Sequence, residues 1–152
     1  MARAEGATEL VGFDFNAERR ALALRLGLAD ACHDPRDAAG LADLAKMESA
    51  VDCVGAKSSV EFLLDHTSDV VALFGVQRED YTFRPRHYTL RLCGYKGHSR
   101  ESAEYAVDLI RRGRLDLAPL VTHRLPLERY AEGIDLLEAQ AAIKVCFLPW
   151  ET

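Results

Sequence analysis

The sequence lacks long hydrophobic runs and clusters of positive charge. Its apolar stretches are only a few residues long, as at residues 70–74, whereas a helix that spans a bilayer needs about 20. Its 152 residues carry 19 lysines and arginines against 24 aspartates and glutamates, a net charge of -5. Without a basic patch, nucleic acids and anionic membranes are not expected partners. The first residues show no signal or transit pattern, so the predicted location is cytoplasmic.

Cysteine pairs and the usual catalytic motifs are missing as well. The widely spaced cysteines form no Cys-x-x-Cys pair, and we interpret them as reduced core residues: Cys32, Cys53, Cys93 and Cys146. None of the five histidines pairs at i, i+4 or with a cysteine at ligand spacing, so no zinc site can be read from the sequence. No Gly-x-Ser-x-Gly elbow is present, which removes the usual hydrolase signal.

The sequence does contain a repeated alternation of short apolar segments with helical patterns. Strands or extended segments are predicted at residues 8–14, 31–34, 50–54, 70–76, 89–95, 120–125 and 143–148. Helices are predicted after the cap residue Asn16, over residues 37–47, from a Ser58-x-x-Glu61 capping box to His66, up to Gly113, and after Pro126. The alternation predicts one α/β domain over residues 1–152, with a mainly parallel sheet, flanking helices and ligands beyond the strand carboxyl ends.

Apolar residues at helical spacing predict the buried faces of the later helices. They are Val60, Leu63 and Leu64; Ala103, Ala106, Val107 and Ile110; and Leu127, Tyr130, Ile134 and Leu137. We expect each set to face the interior of the domain.

Asp14 is the clearest candidate for binding chemistry. It ends an apolar strand just before a helix, where a dinucleotide-binding fold places an acid that accepts hydrogen bonds from the adenosine ribose. The alternative is an acid that only helps the helix to start. Arg19 has two possible roles. It lies beside the adenine or a ribose phosphate of a nucleotide, or it is a solvated cation on the surface of the helix. The glycine turn Gly-x-Gly-x-x-Gly is expected about 20 residues before Asp14, ahead of Met1, and no Gly-x-Gly occurs elsewhere.

A second candidate is the segment of residues 94–100. It contains Lys96 and Arg100 at the start of a predicted helix, whose amides can hold an anion. A solvated loop is the alternative, and we favour it.

Three segments follow one another in the order Leu10-Val11-Gly12-Phe13-Asp14-Phe15-Asn16, Asp52-Cys53-Val54-Gly55-Ala56 and Ala72-Leu73-Phe74-Gly75-Val76. In this order they resemble the zinc-type medium-chain alcohol dehydrogenases. Residues 115–148 resemble the last helix and strand of that family. The resemblance implies the Rossmann-like, carboxyl-terminal cofactor-binding part of such an enzyme. The first strand, the glycine fingerprint and the catalytic domain with its zinc ligands are expected to be absent.

The resemblance also implies roles for individual residues. Asp14 would hold the adenosine ribose of NAD, Arg19 would flank the adenine, and Lys144 would lie near the cofactor phosphates. The ribose and nicotinamide would be lined by Val54, Gly55, Ala56, Phe74, Gly75 and Val76. The carboxylate of Asp14 favours NAD, because it repels the extra phosphate of NADP, whereas Arg19 and Arg20 oppose this preference.

Three interpretations follow from the resemblance and its departures. The chain is a truncated or split dehydrogenase, inactive alone and completed by a separate amino-terminal chain. Alternatively, it is a non-redox remnant that binds a nucleotide or small molecule or acts as an oligomeric interaction module. The third interpretation is a repurposed enzyme that uses His98, Asp80 or His87 in the vacated cleft. A missing first strand would leave open edges, so we expect a homo-oligomer, a dimer in this family, joined through residues 89–95.

Overall fold

The computed structural model describes residues 1–94 and 97–150, so what the sequence predicts for Tyr95 and Lys96 lies outside the described residues. The chain divides into two compact units. The first unit is Val11–Gly97, and the second combines Met1–Leu10 with His98–Thr152. The single domain expected over residues 1–152 stays a prediction.

Across the described ranges, no helix has the length and apolar character of a membrane span.

The first unit alternates strands with helices. Its elements are β1 Val11–Phe13, α1 Ala17–Arg25, β2 Ala31–His33, β3 Met47–Asp52, α2 Lys57–His66, β4 Thr67–Leu73 and β5 Arg91–Gly94. β1 pairs with β2, while β3, β4 and β5 form a separate sheet in that order. All of these pairings are parallel. Within the described residues, no strand pairing joins β1 to β3, so each of these strands has one open edge.

The second unit also combines helices with parallel strands. Its elements are α3 Arg100–Arg111, β6 Val121–Pro126, α4 Tyr130–Glu138 and β7 Lys144–Leu148, with β6 parallel to β7. Gly133 of α4 packs closely on β7, because a Cβ at this position would lie 2.6 Å from Phe147 Cζ. The Tyr105 hydroxyl of α3 donates a hydrogen bond to Glu5, which ties the start of the chain to this unit. The predicted α/β class, with parallel sheets and flanking helices, is confirmed.

The hydrophobic core of the first unit lies between α2 and the strands β3 and β4. Val60 and Leu64 of α2 are buried together with Ala50 of β3 and with Val71 and Leu73 of β4. The helical spacing of the α2 residues predicted this face, and their burial confirms it.

One helix prediction and one capping prediction are wrong in this unit, whereas the predicted helix that ends at His66 is confirmed as α2. Residues 38–43 form turns rather than a helix, and the Gly40 N–H donates to Asp37 Oδ1 at 3.0 Å. The helix α2 begins at Lys57 after Ala56, without a side-chain cap, so Ser58 and Glu61 form no capping box. Glu61 instead accepts a hydrogen bond from the Thr82 N–H at 2.9 Å, because the loop that follows β4 folds back over α2.

The predicted buried faces of α3 and α4 are also wrong. Leu109 is the buried residue of α3, whereas Val107 and Ile110 are each 45% exposed. The residues expected to face inward at α4 are exposed as well: Leu127, Tyr130, Ile134 and Leu137. Helical spacing shows where the apolar side chains lie, but burial also requires a surface that covers them.

The four cysteines are free thiols, yet two of them do not lie in a core. Cys32 and Cys146 are half-buried, whereas Cys53 and Cys93 are exposed. Cys53 follows β3 in a turn, and Cys93 lies on β5, at the edge of its sheet. Their apolar sequence neighbours predicted burial, but these positions at the margin of the sheet leave them open.

The segment between β4 and β5 is fastened to α2 through a buried histidine. His87 is 2% exposed, and its Nδ1 accepts a hydrogen bond from the Arg84 N–H at 3.1 Å. Its Nε2 therefore carries the proton and donates to Asp65 Oδ1 at 2.6 Å. Arg86 Nη2 contacts both oxygens of Asp65, at 2.7 and 2.8 Å. Burial alone raises the pKa of Asp65, but the hydrogen bonds from Arg86 and His87 outweigh burial and lower it.

We expect Asp65→Ala to lower the free energy of unfolding by about 2 kcal/mol at pH 7, because the buried His87 N–H loses its acceptor. The folded-state pKa of Asp65 is depressed, so its contribution exists above the unfolded pKa of about 4 and is lost as the pH falls through the folded value. The difference in the free energy of unfolding between wild type and variant should therefore be smaller in acid. Urea unfolding at pH 7 and pH 3 measures it.

Asp69→Ala is the matched control for Asp65→Ala. It removes a carboxylate that binds Arg91 through two hydrogen bonds, at 3.1 and 2.5 Å, but this pair is exposed and screened by solvent. Equal losses of stability in the two variants would contradict the anchoring role of Asp65.

Candidate functional site

The carboxyl ends of the strands in the first unit carry the candidate site. Asp14 follows β1, Asp34 follows β2, residues 53–56 follow β3 and residues 74–76 follow β4. Because the pairings are parallel, neighbouring segments emerge at the same edge of each sheet. In open parallel sheets, ligands bind at this edge.

Asp14 has a structural role that the sequence could not separate from a binding role. Its Oδ1 accepts a hydrogen bond from the Asn16 N–H at 2.7 Å. Asn16 in turn caps α1, as predicted, since its Oδ1 accepts from the Glu18 and Arg19 N–H groups at 2.9 and 3.1 Å. The two interpretations of Asp14 are compatible, because the turn uses Oδ1 and a ligand can use Oδ2.

Asp34 forms ion pairs with Arg20 and Arg36 beside Asp14. The Asp34 carboxylate and Arg36 form a bidentate ion pair. Asp34 Oδ1 accepts a hydrogen bond from Arg36 Nε at 2.9 Å, and Asp34 Oδ2 accepts one from Arg36 Nη2 at 2.6 Å. Arg20 Nη1 lies 3.6 Å from Asp34 Oδ2 and donates to the Asp14 carbonyl oxygen at 2.7 Å. The hydrogen bonds from Arg36 hold the pKa of Asp34 well below its usual range. Sequence reasoning missed Asp34, although an acid directly after a short strand was a signal.

Two glycines bring the turns after β3 and β4 into direct contact. Gly55 has φ +79°, and a Cβ at this position would lie 2.0 Å from the Val76 carbonyl oxygen. A Cβ on Gly75 would lie 2.4 Å from the Gly55 nitrogen. Since real Cβ atoms do not approach so closely, both positions require glycine while the main chains keep this arrangement.

Asp52 lies beneath these turns and holds both of them. It is 1% exposed, and its carboxylate accepts from Val54 N at 3.3 Å, Gly55 N at 2.9 Å and Ser59 Oγ at 2.6 Å. Gln77 Nε2 donates to Asp52 Oδ2 at 3.1 Å and to the Gly75 carbonyl oxygen at 2.9 Å. A buried carboxylate is tolerated only with such partners.

Sequence reasoning named residues 52–56 only as part of a motif and missed the role of Asp52. The available signal was its alternation with Ala50, which places both side chains on the buried face of β3.

The rim of the turns is apolar and open. Val54 is 61%, Phe74 53% and Val76 76% exposed, while Ala56 is half-buried at the start of α2. Exposed apolar side chains above a glycine-to-glycine contact form a surface on which a flat ring can pack. The structure thus brings together the predicted residues of the two turns.

Arg19 and Lys144 are the remaining predicted binding residues. Arg19 is half-buried on the first turn of α1, five residues beyond Asp14. Lys144 is the exposed first residue of β7 in the second unit. Its predicted place near cofactor phosphates stays a prediction.

Of the three catalytic candidates, the structure bears on His87, while the roles of His98 and Asp80 stay predictions. His87 cannot act as an exposed base, because it is buried and both ring nitrogens are engaged. Arg100 Nε pairs with Glu104 at 2.7 Å, and Ser99 caps α3 by accepting from the Ser102 N–H at 3.0 Å. These contacts favour the solvated interpretation for the described residues 97–100 of the second candidate segment. In the part of the chain that the structure describes, no three His, Cys, Asp or Glu side chains converge on a metal position.

Comparisons with known proteins agree with this geometry, although no protein-family model matches the chain. The sorbitol dehydrogenase of Rattus norvegicus is 30% identical over 156 residues, which cover 95% of this chain and 44% of the relative. The alcohol dehydrogenase class-2 isozyme 2 of Oryctolagus cuniculus is 26% identical over 94% of this chain and 42% of its own length.

A solved structure from Sinorhizobium meliloti, assigned to the zinc-binding dehydrogenases and bound to NADP, superposes with a TM-score of 0.83. It is 22% identical, and the match covers 97% of this chain and 47% of that one. The predicted resemblance to the zinc-type dehydrogenases is confirmed. The chain spans under half the length of the dehydrogenases that it matches.

We expect Gly55→Ala to destabilise the protein by more than about 2 kcal/mol, because it adds a clash with the Val76 carbonyl oxygen to the strain of a positive φ. Gly27→Ala is the matched control. It has φ +64° and open space around the added Cβ, so only the conformational cost of about 1 kcal/mol applies. Thermal unfolding of both variants measures the difference, and equal effects would show that the two turns are not in contact in solution.

Proposed function

We propose that this chain forms the NAD-binding part of a zinc-type alcohol or polyol dehydrogenase. The observation that carries the proposal is the placement of Asp14 at the end of β1, on the same unit as the glycine-to-glycine contact beyond β3 and β4. Dinucleotide-binding folds use such an acid for the adenosine ribose, and glycine where the main chain must come close. The NADP in the Sinorhizobium meliloti structure supports a nucleotide ligand. The names of the relatives support an alcohol or polyol substrate.

Each part of the site would have a defined task when NAD is bound. Asp14 would accept hydrogen bonds from the ribose hydroxyls through Oδ2, while Oδ1 keeps the turn at the start of α1. The turns around Gly55 and Gly75 would let the nucleotide approach the main chain, and their apolar rim would pack on the ring. NAD itself supplies the hydride acceptor for oxidation of an alcohol.

We propose further that the residues of this sequence do not catalyse alone. The matched relatives are more than twice as long as the aligned region, since it covers 44% of the rat enzyme. Hydride transfer in a zinc-type enzyme also needs the alcohol held by a Lewis acid against the nicotinamide. A further polypeptide segment, in the same or a separate chain, would supply these groups.

Calorimetric titration with NADH tests the nucleotide site directly. We expect saturable binding to the wild type and at least about tenfold weaker binding to Asp14→Ala, because the ribose loses a charged acceptor. Asp116→Ala is the control, since Asp116 Oδ1 likewise accepts a main-chain N–H two residues on, from Ala118 at 2.9 Å. Absence of NADH binding to the wild type would refute the proposal, and equal losses in both variants would refute the role of Asp14.

An oligomeric interaction module is the second candidate function. Specific observations favour it: β1 and β3 each have an open edge within the described residues, and β5 is an exposed strand at the other edge of its sheet. Large apolar side chains are also exposed, among them Val51 on β3 at 61%. Extensive exposed apolar surface and open strand edges are typical of surfaces that a partner covers.

We expect the purified chain to have a mass in solution at least twice its 16.9 kDa, as a homo-oligomer that covers these surfaces. Light scattering coupled to size-exclusion chromatography measures this mass. A monomer that unfolds cooperatively would contradict the oligomer and favour a separate amino-terminal chain as the partner.

A further inference from the structure

Two acids and two arginines meet at the carboxyl ends of β1 and β2. Asp14 and Asp34 follow neighbouring parallel strands, whose register pairs Phe13 with His33. Arg20 Nη1 donates to the carbonyl oxygens of Asp14 and Phe15, at 2.7 and 3.0 Å, so this guanidinium is committed to the main chain. The group contains two carboxylates, Asp14 and Asp34, and two guanidiniums, Arg20 and Arg36, so its net formal charge is zero.

Arg36 is the more exposed of the two arginines in this group. Its side chain is 66% exposed, whereas that of Arg20 is 21% exposed. Both Nε and Nη2 of Arg36 are turned toward the Asp34 carboxylate, at 2.9 and 2.6 Å. The guanidinium also lies over the Phe15 ring, 4.7 Å from its centroid. These contacts place the guanidinium over the Phe15 ring and direct two of its hydrogen-bond donors to Asp34.

We propose that Asp34 is a specificity-determining residue, which holds Arg36 and so keeps the site selective for a dinucleotide without a 2′-phosphate. This inference rests on the nucleotide binding proposed above. Arginine is the side chain best suited to bidentate binding of a phosphate, and Asp34 occupies one bidentate pair of donors, Nε and Nη2. With Arg36 neutralised, the carboxylate of Asp14 dominates the field at the ribose and repels a 2′-phosphate.

Asp34→Asn tests this role with little change in shape. Asparagine keeps the Oδ1 that accepts the Arg36 main-chain N–H at 2.9 Å, so the turn after β2 is preserved while the negative charge is removed. We expect the affinity for NADPH relative to NADH to rise about five- to tenfold, the effect of one nearby charge at a solvated site. The rise should largely disappear in 1 M salt, where the Debye length is about 3 Å.

Two further variants separate specificity from structure. In Asp34→Asn/Arg36→Ala, the preference should return toward the wild-type ratio, because the released guanidinium is gone. In Asp69→Asn, which breaks the similar ion pair with Arg91 at the amino ends of β4 and β5, the ratio should not change. Arg19 carries the same charge in every variant and does not affect the comparison.

The outcomes distinguish this inference from the proposed function. If the wild type binds neither NADH nor NADPH, the proposed function fails and the inference fails with it. If the wild type binds NADH but Asp34→Asn keeps the same preference, only the role of Asp34 is overturned. A wild type that prefers NADPH would also overturn it, because Arg36 would then reach the phosphate despite Asp34.

Discussion

The buried carboxylate of Asp52 is the interaction on which the arrangement of the strand ends depends. It accepts hydrogen bonds from the turn after β3 and from Ser59 in the first turn of α2. Through Gln77 it also reaches the turn after β4. Its main-chain oxygen accepts from the Phe74 and Gly75 N–H groups at 2.9 and 2.8 Å. Because an unpaired buried charge is very costly, these donors and the carboxylate hold one another in place.

The two sheets of the first unit contribute different chemistry to the candidate site. The ends of β3 and β4 offer close-packed main chain with an apolar rim, which suits a flat ring. The ends of β1 and β2 offer charge, in which Asp14 and Asp34 are balanced by arginines. A dinucleotide has the same division between uncharged rings and polar ribose and phosphate groups, so under the proposed function the two sheets would bind different parts of one ligand.

Both units expose apolar side chains that the proposed further polypeptide segment could cover. Parallel sheets are normally covered on both faces, yet Val51 of β3 is 61% exposed and Leu92 of β5 is 37% exposed. The exposed residues of α3 and α4 repeat the pattern in the second unit. The sequence spacing predicted buried faces for these helices, but Leu109, outside the predicted set, is the buried residue of α3, and the described residues leave the predicted apolar side chains of α4 exposed.

The sequence by itself determined the alternation of strands and helices, the cap at Asn16, the buried face of α2 and the resemblance to the zinc-type dehydrogenases. These features depend on local spacing and on residues close along the chain, which a sequence displays directly. Only the tertiary structure decided that Asp52 joins two turns, that Asp34 holds Arg36, and that His87 is buried rather than exposed. Asp52 and Gln77 are 25 residues apart, and His87 and Asp65 are 22 apart. The contacts of Asp52 and of His87 join segments far apart in the sequence, which no local pattern predicts, whereas Asp34 and Arg36 are two residues apart and their ion pair depends on the conformation of the turn after β2.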